Sequence, residues 1–163
     1  MHQAPSRHLA RSGPAPKRPL RQVVASAGAA CVLGVTACGG GASSDPQKTA
    51  QNWLQAFGSG DNKAVCSMSL GRQEAVLKSG SPEFAECTSA LDKAAARIPE
   101  PGRKQFQNAT ISNMQTNGDT SRASRADIAG VHDSPISEIT CRLKDGRWYV
   151  DLTSTDIAAY SVL

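Results

Sequence analysis

From residue 45 onward the apolar positions recur at helical spacing. Ala50, Trp53, Leu54 and Phe57 stand at i, i+3, i+4 and i+7, one face of a helix. Asp45-Pro46 supplies the start, an N-cap followed by a proline suited to the first helical position. Gly58 is the expected stop. Asp61 opens a second helix with Val65, Cys66, Met68 and Leu70 available for burial, Gly71 breaks it, and residues 72–78 are expected to add a turn or two. Ser81-Pro82-Glu83 is a third start signal. Phe84, Cys87, Leu91, Ala94 and Ile98 then keep helical spacing until Pro99 to Gly102 ends the run.

The period changes after Gln105. Phe106 to Thr116 reads as a strand, with Ala109, Ile111 and Met114 alternating imperfectly. Asn117-Gly118 is a hairpin turn signal. Residues 120–131 form a weak polar strand, and Asp133-Ser134-Pro135 a turn. Ile139, Cys141 and Leu143 alternate with Thr140, Arg142 and Lys144. Asp145-Gly146 turns the chain, and Trp148, Val150 and Leu152 alternate on the return, which makes a final hairpin. Helices first and antiparallel strands afterwards predict an α+β domain, its N-terminal helices packed on one face of a sheet of about four strands.

Ahead of this domain the pattern is different. Residues 1–22 are basic and rich in Pro, Ser and Ala, and Val23 to Thr36 is a run of small and apolar residues. A charged zone, a short apolar zone and small residues before a cut make a secretory signal. The apolar run falls short of the roughly 20 residues that a membrane span needs. It ends in Val35-Thr36-Ala37-Cys38. These four residues resemble the lipobox of bacterial lipoproteins, in which an aliphatic residue stands three before the cysteine and small residues fill the next two places. Cys31, inside the run, has Gly28 where the aliphatic residue belongs. The resemblance implies cleavage before Cys38 and diacylglycerol on its sulfur, with the chain held at the extracytoplasmic side of the cell membrane. Residues 1–37 are then a signal peptide, residues 38–44 the lipidated cysteine and a flexible tether, and residues 45–163 one globular domain. A Gly/Ser-rich tether leaves that domain free to rotate.

Charge narrows the partners. Arg7, Arg11, Lys17, Arg18 and Arg21 all precede Cys38 with no acid among them, so from a formal net charge of +4 the remainder carries −1. A domain so close to neutral has no global field for polyanions, and no nucleic-acid partner is expected.

Asn52-Trp53-Leu54-Gln55-Ala56-Phe57-Gly58-Ser59-Gly60-Asp61, with Cys66 soon after, and the terminal Leu143-Lys144-Asp145-Gly146-Arg147-Trp148-Tyr149-Val150 are similar to segments of small actinobacterial lipoproteins of unassigned function. They also resemble the nuclear-transport-factor-2-like superfamily, over about residues 45–155. That resemblance implies a cystatin-like cone, with helices wrapped by a curved sheet. It implies no activity, because the superfamily includes enzymes, ligand carriers and interaction modules.

Of the five cysteines, Cys66, Cys87 and Cys141 would remain in an oxidising compartment beside the lipidated Cys38. Cys66 and Cys87 lie on apolar helix faces, close in sequence, and are the favoured disulfide. Cys141 falls on the inner sheet face, as a small buried hydrophobe or as a redox thiol, and its pairing with either helix cysteine stays open.

Catalytic candidates are few. His132 is the one histidine after Cys38. Glu83 and Glu86 share a helical turn, where helix-dipole stabilisation competes with acid/base chemistry. No familiar metal-ligand spacing and no phosphate-binding glycine loop is present, so neither metal nor cofactor is expected. Trp53, Phe57, Phe84, Phe106 and Trp148 are candidates to line a pocket between helices and sheet. The expected function is a membrane-anchored, non-enzymatic domain that binds an envelope protein or a small apolar ligand. The alternative is an enzyme of the same cone fold that uses a pocket carboxylate or His132 as base.

Overall fold

The structure, a computed structural model, describes residues 41–132 and 136–157. The signal segment, Cys38 and the Asp133-Ser134-Pro135 turn lie outside the described residues. The remainder is a mixed α+β domain with four helices and a mostly antiparallel sheet.

Three helices begin where the sequence places them. Helix α1 (Pro46–Ser59) is capped by Asp45, whose carboxylate accepts from the N–H groups of Gln47 and Lys48. Helix α2 (Asn62–Ser67) is capped by Asp61 and helix α3 (Pro82–Arg97) by Ser81. Each cap satisfies an N–H that the first turn leaves without a partner.

Gly58 does not end α1. The helix runs one residue further and closes at Gly60, which takes φ 77°. Gly58 is needed because of helix α4 (Glu100–Gln107), which the sequence reading missed. Pro99 to Gly102, expected only to stop α3, also starts α4. Pro101 sits in the first turn, where its missing N–H costs nothing. Gln105 and Phe106 are therefore helical, and the expected strand from Phe106 shrinks to β2 (Thr110–Ile111) and β3 (Gln115–Asn117). A Cβ on Gly58 would stand 2.5 Å from the Gln107 nitrogen and 2.7 Å from the Arg103 carbonyl oxygen, both backbone atoms that cannot swing aside. Gly58→Ala should therefore destabilise the domain by about 1–3 kcal/mol, as overpacking does, despite the better helix propensity of alanine. A urea midpoint equal to wild type would show that α1 and α4 can part at no cost.

The sheet order is β1-β7-β6-β4-β3. Strands β4 (Thr120–Ser124), β6 (Ile136–Lys144) and β7 (Arg147–Asp151) form its centre, and β8 (Asp156–Ile157) pairs with β6 beyond the end of β7. The expectation of about four strands omitted β1 (Ser69–Leu70), which was read as the tail of the second helix. It leaves α2 after Met68 and pairs parallel with β7. The weak strand over 120–131 resolves into β4, a 3₁₀ turn at Arg125–Asp127 and β5 (Ile128–Ala129), which pairs with β2.

The final hairpin forms as predicted. Asp145 and Gly146 take φ 49° and 75°, the left-handed pair of a type I′ turn. The earlier turn falls one residue late: Asn117 already pairs with Thr120, leaving Gly118-Asp119 as the tip.

Ala123, Ile139, Cys141, Trp148 and Val150 are buried on one sheet face, and α1 lies against β6 and β7. Trp53 stacks on Phe57 with ring centroids 5.6 Å apart, and Phe57 meets Phe106 edge-on at 5.2 Å. Leu143 departs from the expected alternation. It pairs with Trp148 beside the β6–β7 turn and stays 39% exposed.

The tether is shorter than its composition suggests. Ser43 accepts from the Trp148 N–H at 2.7 Å, and its own N–H donates to Thr49 Oγ1 at 3.0 Å. Ser43 thus occupies the edge of β7 ahead of β1. Pairing free backbone groups on a strand edge outweighs the freedom that Gly-Ser composition offers.

Candidate functional site

Beyond β1 the chain makes a loop that composition alone does not announce. Gly71 to Leu77 doubles back so that Val76 bridges Leu70, and the Leu77 N–H donates to the Ser69 carbonyl at 3.3 Å. Within it, Gln73 and Glu74 take φ 57° and 56°. Non-glycine residues there cost about 1–2 kcal/mol each, so the surrounding contacts must hold the loop in shape. Three contacts do so. The Gly71 N–H donates to the Ala75 carbonyl at 2.9 Å, Glu74 pairs with Arg142 at 3.3 Å, and Leu77 is buried against Gly71.

This loop forms one wall of a cleft of about 870 Å³. The first half of α3 forms the second wall, from Ser81 to Ala90. A corner at Leu152 and Thr153 forms the third. Val76, Leu77, Pro82 and Leu152 supply apolar surface, while Arg72, Lys78, Glu83 and Glu86 bring charges of both signs. Cys87 is part of the lining and is joined to buried Cys66, with an Sγ–Sγ distance of 2.07 Å. The favoured disulfide of the sequence reading is therefore present, and it ties α3 to α2 directly behind the cleft.

The third wall depends on Asp151. This buried residue ends β7. Its Oδ1 accepts from the Thr153 N–H at 2.9 Å and from the Thr153 hydroxyl at 2.7 Å, its Oδ2 accepts from Arg142 Nε at 3.1 Å, and its carbonyl accepts from the Thr155 N–H at 2.9 Å. Burial alone would raise the Asp151 pKa. Hydrogen bonds from Thr153, Ser154 and Arg142 outweigh it and hold the carboxyl below the ordinary aspartate value. Arg142 bridges the two walls, since it pairs with both Asp151 and Glu74. A carboxyl with a depressed folded-state pKa stabilises the domain above its unfolded-state pKa, and that contribution is lost as pH falls through the folded value. Asp151→Asn should therefore lower stability at neutral pH and flatten the acid limb of the stability curve below about pH 4. Parallel acid limbs for mutant and wild type would remove Asp151 from this role.

Glu83 and Glu86 both line the cleft, and both are exposed. His132 lies outside it, exposed after β5. Its N–H donates to Gln105 Oε1 at 3.1 Å, and its carbonyl accepts from Arg125. The aromatic candidates lie elsewhere too. Trp53, Phe57, Phe84, Phe106 and Trp148 are all buried in the hydrophobic core, and none of them lines this cleft. Cys141 is fully buried on the inner sheet face and unpaired. Burial first, and the charge of Asp151 second, push its thiol up to about 12, far from the thiolate that redox chemistry requires. Among the described residues no three His, Cys, Asp or Glu side chains converge as metal ligands, and no helix is long and apolar enough to cross a membrane.

Sequence periodicity found the α3 wall and its cysteine. Of the turn or two expected over residues 72–78, one 3₁₀ turn forms at Arg72–Glu74. The left-handed bend within the loop and the corner rest on backbone conformation and side-chain-to-backbone bonds rather than on apolar spacing. Asp151-Leu152-Thr153-Ser154 was a usable signal, since aspartate followed by threonine and serine favours local turns. No family model matches the chain, and neither the curated proteins nor the solved structures yield a match.

Proposed function

We propose that the chain is an exported lipoprotein of the bacterial envelope, held at the extracytoplasmic face of the cell membrane by lipid on Cys38, and that its domain binds a small, largely apolar ligand without acting on it. The cleft carries this reading. Its volume of about 870 Å³ lies within the ~300–1,000 Å³ of small-molecule sites, and apolar surface with a few polar groups is the usual lining of such sites. The groups best suited to chemistry are engaged otherwise. Asp151 builds the corner, and His132 stands away from the cleft.

For the anchor, the support is the order of basic zone, apolar zone and Val35-Thr36-Ala37-Cys38. Each buried CH₂ of an acyl chain contributes about 0.8 kcal/mol, so a diacylated cysteine holds where a single chain would not. The fold is proposed to be of the cone type. Two observations support this: α1 lies against β6 and β7, and β6 carries a register shift between Ile136 and Glu138, an irregularity that bends strands.

The test is mass spectrometry of the full chain extracted from its host in mild detergent. The denatured spectrum should show a chain that begins at acylated Cys38. The native spectrum should show a bound molecule that Ala90→Trp, which fills the cleft, displaces. An acylated chain that arrives empty and takes up no lipid extract would replace the ligand reading with a protein partner. A chain without lipid would remove the anchor.

A further inference from the structure

Five residue steps separate Cys38 from Ser43, and Ser43 is hydrogen-bonded to the Trp148 backbone in β7. Five residues at full extension reach about 18 Å. Ser43 is therefore confined to within that distance of whatever holds Cys38, and Trp148, one strand spacing further, to within about 23 Å. Trp148 belongs to the end of the sheet where the β6–β7 turn lies. From there β6 runs back through nine residues, about 30 Å, so the tether holds the near end of the sheet and not the far one.

The surface at the near end suits a bilayer. Leu143 is the one large hydrophobic residue that stands exposed among the described residues. Lys144 and Arg147 sit directly opposite each other in the ladder, both exposed, with no ion-pair partner among the described residues. Like charges in that register repel in water. Lipid phosphates would relieve the repulsion while the long side chains keep their heads at the headgroup level. Asp119 and Asp145 occupy the two turns at the same end, so its net charge is small.

We infer that the β6–β7 hairpin end, with Leu143, Lys144 and Arg147, rests on the lipid headgroups, so that the anchored domain has a fixed orientation. The inference relies on the Cys38 anchor proposed above. It replaces a freely rotating domain with a seated one, because Ser43 is bonded to the edge of β7 and only the residues before it are left as tether. Tether length sets the orientation, and the small net charge makes it independent of lipid charge. The cleft then faces away from the membrane. Its Leu152–Thr153 wall follows the far end of β7, five or more residues from the tip, which is about 17 Å. The ligand would enter from the extracytoplasmic space rather than from the bilayer.

The experiment uses the full-length protein, acylated in a bacterial host and reconstituted in phosphatidylcholine vesicles doped with a nickel-chelating lipid. Nitroxides are attached in separate proteins at Leu143→Cys and at Ala126→Cys, an exposed residue in the 3₁₀ turn after β4. Buried Cys141 leaves the labelling specific. The Leu143→Cys label should relax several-fold faster through the headgroup nickel than the Ala126→Cys label. Twelve Gly/Ser residues inserted after Gly41 should erase the difference, and adding phosphatidylglycerol should leave it unchanged. Equal relaxation in a protein shown by mass to be acylated overturns the orientation and leaves the anchor standing. A protein that carries no acyl group overturns the anchor and this inference with it.

Discussion

Replacing Cys66 and Cys87 together with alanine is expected to lower the stability of the domain by about 3 kcal/mol and its unfolding midpoint by about 10–20 °C. The two residues are 21 apart in sequence, and a cross-link closing a loop of that size removes about 3 kcal/mol of chain entropy from the unfolded state. For a domain of this length each kcal/mol moves the midpoint by about 3–6 °C. The loss will not be uniform. The ring closed by the disulfide holds β1, the whole Gly71–Lys78 loop and the first turns of α3, which is most of the cleft lining. That ring also carries the two left-handed residues Gln73 and Glu74, which the surrounding structure must keep in place. Hydrogen exchange should therefore quicken over residues 69–84 well before it changes in β4 or β6, and ligand retention should fall even where the domain is still folded. Wild-type protein under reductant should behave alike, and Cys141→Ala should not. A midpoint shift of under about 3 °C with unchanged exchange would mean that the Gly71–Ala75 bond, the packing of Leu77 and the Arg142 ion pairs hold the cleft without the disulfide.

What the sequence disclosed about this site divides along physical lines. Caps and turns act within a few residues, so Asp45, Asp61, Ser81 and Asp145-Gly146 were legible. The apolar faces of α1 and α3 and of the last hairpin were legible for the same reason. The disulfide was legible because its cysteines sit on the apolar faces of α2 and α3. Everything that depended on a distant partner was not. Gly58 looked like a helix stop until Gln107 and Arg103 came within reach of its missing Cβ. Ser43 looked like a linker until the edge of β7 claimed it. Ser69-Leu70 continued a helical pattern, yet parallel pairing with Val150 and Asp151 in β7 drew it into the sheet. The five aromatics expected to line a pocket fill the hydrophobic core instead. A well-packed interior uses such residues to fill space, and here the cleft formed instead where the backbone is least regular.

Trp53→Ala should be the most damaging single change, costing about 3–5 kcal/mol. The side chain is completely buried and stacks on Phe57, which in turn meets Phe106 of α4, so the cavity would open at the junction of α1, α4 and the sheet. The indole also carries a polar task. Its Nε1–H donates to Ser69 Oγ at 2.9 Å, and the Ser69 hydroxyl donates to the Val65 carbonyl at 2.7 Å. This relay fixes the point where α2 gives way to β1, two residues ahead of the cleft loop. Trp53→Phe separates the two contributions. It keeps most of the ring surface and deletes the donor, so it should cost roughly 1–2 kcal/mol, near the value of one buried hydrogen bond. Ser69→Ala removes the same relay from the other side, and the double mutant Trp53→Phe/Ser69→Ala should cost less than the sum of the two. Urea unfolding of the four proteins measures this coupling. If the single costs simply add, the relay contributes nothing, and the start of the cleft loop is held by the Met68 and Leu70 backbone bonds to β7 alone. If they fall short of adding by about 0.5 kcal/mol or more, one buried tryptophan on α1 sets both the core and the position of the cleft wall.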